Sequence, residues 1–253
     1  MGRDRGAVTA LRRGLDLGMT HVDTAEMYTG SEELVAEAIQ GRRDSVFLVS
    51  KVLPQNASRK GTVAACEQSL RRLRTDRLDV YLLHWRGGQP LAETVAGFEE
   101  LERDGKIGAW GVSNFDVDDL DELESLAKPG RPVCNQVLYH LEQRGIEHAV
   151  LPWCEAHGVA LVGYSPYGSG RFPSPRSAGG KVLAEIAAAS GVTPRQVALA
   201  FLVRRPALFT IPKAGDPEHA AENAVIAALT PSDLEKLDEA FPLGRRPRSL
   251  PTL

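Results

Sequence analysis

Cysteine is scarce in this chain: three in 253 residues, Cys66, Cys134 and Cys154, widely spaced and odd in number. They form no CxxC pair, so neither a zinc ribbon nor a disulfide framework is expected, and a reducing, cytoplasmic setting is the default. Positive charge is not in excess. Thirty Lys and Arg against 33 Asp and Glu leave a net charge of −3, which gives no basic field to draw nucleic acid or a membrane surface. Long apolar runs are missing: the longest unbroken one, residues 197–203, is far too short to span a bilayer. No basic-then-apolar signal segment opens the chain. No GxGxxG follows a strand-like run, and the Gly-Ser-Gly at 168–170 lacks the third glycine, so a Rossmann module is unsupported. What remains is 43% hydrophobic and 25% charged, the balance of a soluble globular protein long enough to bury a full core.

No linker divides the chain, and one domain spanning residues 1–253 is expected. The Gly-, Pro- and Ser-rich stretch 169–180 reads as a long loop within that domain. Short β-branched runs at 19–23, 46–51, 78–84, 108–113, 133–137, 159–164 and 208–212 alternate with amphipathic stretches. Those stretches lie at 31–38, 62–73, 91–104, 118–126 and 194–204. Strand–helix alternation argues for βαβ units and a parallel sheet buried on both faces.

Nearly every strand-like run finishes in a polar, reactive-type residue: Asp23, Lys51, His84, Ser113 with Asn114, Gln136, Tyr164 and Lys213. An open doubly wound sheet builds its site at one switch point, whereas a (β/α)8 barrel draws on all of its βα loops. The pattern therefore predicts an α/β barrel of the (β/α)8 type. Only seven strand runs are legible, and a helical pattern at 8–17 stands where a strand should come first. The expectation is a barrel without its first strand and N-terminal hairpin, truncated at the N-terminus, with two bare sheet edges facing each other.

Asp23, Lys51 and His84 end successive strands, and Tyr28 lies five residues after Asp23. A tyrosine is a weak acid, a neighbouring ammonium favours its phenolate, and a carboxylate keeps that ammonium charged and aimed. A histidine nearby can orient a carbonyl. Together the four suit proton exchange with a carbonyl/alcohol pair, and none can carry hydride, so a nicotinamide cofactor must supply the redox step. Taken singly, each has a bland reading: an N-cap Asp, a rim Tyr, a solvated Lys, a core His.

Asp23-Thr24-Ala25-Glu26-Met27-Tyr28, preceded by Gly18-Met19-Thr20-His21-Val22, resembles the signature of the aldo-keto reductase family. Further matches follow in chain order: Val49-Ser50-Lys51, the run from Asp76 through His84 to Trp85, Gly111-Val112-Ser113-Asn114-Phe115, Asn135-Gln136-Val137, Gly163-Tyr164-Ser165-Pro166 and Ile211-Pro212-Lys213. The resemblance extends from Val8 to Phe241. It implies reduction of aldehydes or ketones by NADPH or NADH, with Tyr28 as general acid, Lys51 lowering its pKa, Asp23 holding Lys51 and His84 orienting the carbonyl. It places the cofactor's carboxamide against Ser113, Asn114 and Gln136, and its nicotinamide on Tyr164. The pyrophosphate falls against Ser165, Pro166, Tyr167 and Ser169, and the adenosine end against Ile211, Pro212, Lys213, Ala214, His219, Glu222 and Asn223. Trp85 is the candidate substrate-facing aromatic.

Relatives that prefer NADPH commonly carry an arginine at the position of His219 and a serine at that of Ala214, so a weakened NADPH preference is expected here. The basic tail Arg245-Arg246-Pro247-Arg248 reads as a loose end, and its shortness predicts an open pocket. The expected partner is a small carbonyl compound, with no nucleic acid or membrane, and the chain is expected to act as a monomer. Two other readings stand beside this one. A barrel metallohydrolase would use His21, Asp23, a carbamylated Lys51, His84 and His140 as ligands. A catalytically impaired relative would bind nucleotide without turnover.

Overall fold

The computed structural model describes residues 5–127 and 131–253. Seven strands form one parallel sheet in chain order: β1 (His21–Asp23), β2 (Phe47–Val52), β3 (Leu78–Leu83), β4 (Ile107–Ser113), β5 (Cys134–Leu138), β6 (Ala160–Tyr164) and β7 (Leu208–Thr210). Around them run α1 (Arg5–Asp16), α2 (Ser31–Ala38), α3 (Arg59–Leu73), α4 (Leu91–Arg103), α5 (Val117–Leu126), α6 (Val150–Ala156), α7 (Ala178–Ser190), α8 (Pro194–Leu202), α9 (Pro217–Asn223) and α10 (Pro231–Ala240). All seven strands expected from the sequence are present, with ends displaced by one or two residues. No helix among the described residues is long and apolar enough to cross a membrane.

The strands read as near-continuous apolar runs because both faces are covered. One face points toward the helices and carries the larger core, with Leu48, Tyr81, Leu83, Trp110 and Leu161. The other face points inward and carries Val49, Val80, Leu82, Cys134 and Val162. Side chains two residues apart share a face, so Lys51 follows Val49 onto the inner side. The inner face therefore changes from apolar to polar at the carboxyl ends of the strands.

The sheet is curled rather than open. Gln136 on β5 donates from Nε2 to Asp23 Oδ2 on β1 at 2.8 Å. In a flat sheet, strands four positions apart would be roughly 19 Å from each other. Helix α1 packs against α9, which brings the two ends of the helical layer together. Among the described residues the strands do not close: β1 pairs only with β2, and β7 only with β6. Phe209, on β7 at one side of this gap, remains 48% exposed. No eighth strand is present among the described residues, as the strand count predicts.

Two expectations are corrected. Helix α7 begins at Ala178, inside the stretch read as loop, because Ser177 caps it by accepting from Gly180 N at 3.1 Å. The glycines there serve close packing rather than a turn: a Cβ on Gly180 would lie 1.9 Å from the Ser174 carbonyl oxygen. The basic tail is not a loose end either. Arg246 to Leu250 line a cleft with Val117, Gly145 and Val150, and Pro247 sits so close to Gly145 that a Cβ there would meet it at 2.9 Å.

Candidate active site

Each residue of the proposed tetrad comes from the end of a strand or the loop after it. Asp23 closes β1, Lys51 lies on β2 and His84 follows β3. Tyr28 is returned over the barrel by a tight turn in which its own N–H donates to Ala25 O at 3.0 Å. Lys51 is fully buried; its Nζ forms a very short ion pair with Asp23 and donates to Thr24 O at 2.9 Å. The same Nζ lies 5.4 Å from the centroid of the Tyr28 ring. The Tyr28 hydroxyl stands 3.4 Å from His84 Nε2. The four side chains therefore meet in one place, with Trp85 beside them, its ring 4.9 Å from that of His84 and 37% exposed.

The electrostatics correct one expectation. The Tyr28 hydroxyl is pushed up to about 12, first by burial, then by the Asp23 charge and the neighbouring Tyr164 hydroxyl. The net effect of these surroundings is a rise rather than the lowering expected from Lys51. The phenol keeps its proton at neutral pH. His84 is pushed down to about 4 by burial and by the Lys51 charge, so it is neutral there. Its Nδ1 has no partner among the described residues.

The His84 shift carries a stability prediction. Unfolded chain takes up a proton on this residue near pH 6.5, while folded chain resists it down to about pH 4. Over that interval the unfolded state binds more protons, so stability is full above about 6.5 and falls as pH drops toward 4. His84→Gln is expected to flatten this part of the Tm-against-pH curve. Curves that run parallel for both proteins would remove His84 as the cause.

Sequence reasoning missed two bracing carboxylates. Glu26 accepts from Leu53 N at 2.6 Å and from Asn56 Nδ2 at 3.1 Å, tying the tyrosine loop to the loop after β2. It stands inside the Asp23–Tyr28 motif, so the motif was the signal. Glu32 on α2 is buried; it accepts from Ser50 Oγ at 2.6 Å and pairs with Arg72 at 2.5 Å. It braces β2 from behind Lys51, and no local pattern announces a contact between α2, β2 and α3.

The residues assigned to the cofactor line the same rim. Ser113 Oγ donates to Gln136 O at 2.8 Å, Asn114 Nδ2 donates to His84 O at 3.2 Å, and Tyr164 OH donates to Asn114 Oδ1 at 2.9 Å. The Gln136 amide nitrogen is committed to Asp23, so this residue also holds the tetrad. Further along, Ser169 Oγ donates to Ser165 Oγ at 3.0 Å, and Tyr167 OH donates to Asn223 Oδ1 at 2.5 Å. Glu222 accepts from Thr193 Oγ1, the cap of α8. Ile211 packs against the inner cluster, Pro166 is buried, Pro212 and Ala214 are half-buried, and Lys213 and His219 are exposed. Asn114, Ser165 and Ser169 all hold positive φ, at 59°, 54° and 51°. Left-handed backbone at non-glycine residues clusters where a ligand is to be held. The metal-ligand alternative finds no support: no group of three His, Cys, Asp or Glu able to hold a metal occurs among the described residues, and His140 sits apart, beside Arg171 and Gly168.

Comparison with known proteins gives this site a lineage. The family model for the Aldo/keto reductase family matches residues 3–241. Methylglyoxal reductase YeaE of Escherichia coli is 44% identical over 250 residues, covering 96% of this chain and 88% of its own length. Glyoxal reductase of Bacillus subtilis is 34% identical, covering 92% of this chain and 82% of its own. A crystal structure of an aldo-keto reductase from Klebsiella pneumoniae in complex with NADPH superposes with a TM-score of 0.92 at 44% identity, covering 99% of this chain and 89% of that one. The chain belongs to the Aldo/keto reductase family and is an oxidoreductase acting on carbonyl compounds.

Proposed function

We propose that the barrel mouth reduces small reactive aldehydes and ketones, α-dicarbonyls foremost, to alcohols with NADPH. The observation that carries this reading is the Tyr28 hydroxyl, kept protonated by its surroundings, 3.4 Å from a neutral His84 nitrogen and beside the buried Lys51–Asp23 pair. The donor set fits a nicotinamide dinucleotide: amides and hydroxyls from Ser113, Asn114, Gln136 and Tyr164 at one end, and Lys213, His219, Glu222 and Asn223 at the other. When bound, the cofactor supplies a hydride to the carbonyl carbon.

The chain's own residues supply the rest. His84 Nε2 and the Tyr28 hydroxyl converge on the carbonyl oxygen and orient it. As negative charge grows on that oxygen, Tyr28 donates its proton. The transfer is downhill even from a phenol at about 12, because an alkoxide resembles hydroxide, whose conjugate acid has a pKa of about 15.7. The Lys51 ammonium, 5.4 Å from the ring centroid, stabilises the phenolate left behind. Tyr28 is 40% exposed, so water can return the proton. One carbonyl, one hydride and one proton give one alcohol. The family names of methylglyoxal and glyoxal reductases support a small dicarbonyl substrate, and Trp85 offers one wall for it.

The test is consumption of NADPH by the purified chain with methylglyoxal or glyoxal. Cofactor oxidation matched by alcohol formation is expected. Binding without consumption would replace this reading with that of a nucleotide-binding relative, and failure to bind either dinucleotide would overturn it.

A further inference from the structure

Arg195 lies in the first turn of α8, outside every group of residues assigned to the cofactor above. Its guanidinium rests against two rings of the loop after β6, with the centroids of Tyr167 and Phe172 each 5.4 Å away. Those rings meet edge to face at 5.8 Å. An exposed arginine without an acceptor is ordinary. What distinguishes this one is how it is held and what surrounds it. A cation–π contact with a ring engages no hydrogen-bond acceptor and so leaves the guanidinium N–H donors available. No hydrogen bond or ion pair engages those donors among the described residues. The carboxylate of Glu222 accepts from Thr193 Oγ1 and forms no ion pair with Arg195 among the described residues. Tyr167, on which Arg195 leans, is bonded to Asn223, and α8 is tied to α9 where Gln196 Nε2 donates to Glu222 O at 2.9 Å. Arg195 thus stands where the phosphate loop meets the adenosine end of the proposed cofactor site.

The geometry points to Arg195 as a phosphate-binding residue for the dinucleotide, a specificity determinant that this chain uses beside Lys213. His219 carries a full positive charge only when protonated, whereas an arginine is charged at every working pH and grips phosphate with two parallel donors. The aromatic pair pre-orients the fork, so little side-chain freedom is lost on binding. This inference rests on the cofactor reading above, and two phosphates share the required chemistry: the pyrophosphate of both dinucleotides and the 2′-phosphate of NADPH.

The experiment is fluorescence titration of the purified chain with NADPH and with NADH at one fixed ionic strength, for the native protein, Arg195→Met and Arg195→Lys. Met keeps an unbranched stem of similar length and removes the charge; Lys keeps a charge and removes the fork. Arg195→Met is expected to raise the Kd about tenfold or more, with Arg195→Lys between it and the native protein and the Tm unchanged. A loss confined to NADPH assigns the 2′-phosphate; an equal loss for both assigns the pyrophosphate. Kd values for Arg195→Met within twofold of native for both dinucleotides would overturn the proposal while leaving the cofactor reading intact. A native chain that binds neither dinucleotide would overturn both.

Discussion

Tyr28→Phe is expected to lower kcat for carbonyl reduction by roughly 10²–10⁴-fold, the range that a positioned general acid contributes. The substitution removes one oxygen and little else. The ring keeps its place beside Lys51, because the 5.4 Å cation–π contact does not involve the hydroxyl. Folding should be almost unaffected, since the hydroxyl makes no hydrogen bond tighter than 3.4 Å and the side chain is 40% exposed. Cofactor affinity should also stay within about twofold, because Tyr28 is not among the residues assigned to the dinucleotide. The expected result is therefore a fall in kcat with unchanged Kd and Tm, the signature of an interaction made only in the transition state. A loss below tenfold would mean that water or His84 delivers the proton and that Tyr28 only shapes the pocket. The pH dependence sharpens the point. With Tyr28 pushed up to about 12 and His84 down to about 4, neither group titrates between pH 5 and 9, and kcat should be flat there.

Much of this was legible in the chain because barrel chemistry is written locally. A buried parallel strand is a short apolar run, and a polar residue at its carboxyl end marks a βα loop. Asp23, Lys51, His84 and Gln136 were found by that rule alone. The alternation also exposed the shortfall of one strand, since β1 and β7 are both present and pair on one side only. What escaped was decided by contacts between distant segments. The tail looked like a loose end because nothing in Arg245–Arg248 reveals that Pro247 has a glycine to rest on at position 145. The lowering of Tyr28 by Lys51 was expected from proximity. The net shift runs the other way because burial, the largest cause, and the Asp23 charge push the hydroxyl up. Glu32 was passed over as one more helix-surface carboxylate; only the packed structure reveals its contacts with Ser50 and Arg72.

The Lys51–Asp23 pair gives the second large effect, and here stability and activity separate. Lys51 is fully buried and the Asp23 side chain is 9% exposed, so neither charge has much water to fall back on. A buried pair is expensive to assemble, but removing one partner is costlier still, because the other charge is left uncompensated; about 3–5 kcal/mol is typical. Lys51→Met should therefore destabilise the chain by that order, since Asp23 would keep only the Gln136 amide at 2.8 Å. Adding Asp23→Asn removes the stranded charge, and most of the lost stability should return. Activity should not return with it. Tyr28 would still hold its proton, but no ammonium would remain to stabilise the phenolate formed when that proton leaves. The double variant is thus expected to melt near the native protein and to reduce carbonyls at least a hundredfold more slowly, a gap of about 2.7 kcal/mol in transition-state stabilisation. Chemical denaturation together with NADPH consumption reads both quantities on the same preparations. If the double variant recovered activity along with stability, the buried pair would be a structural brace and Lys51 would have no part in the proton transfer. If the single variant proved as stable as the native chain, the pair would not be the dry, mutually dependent unit that its burial describes.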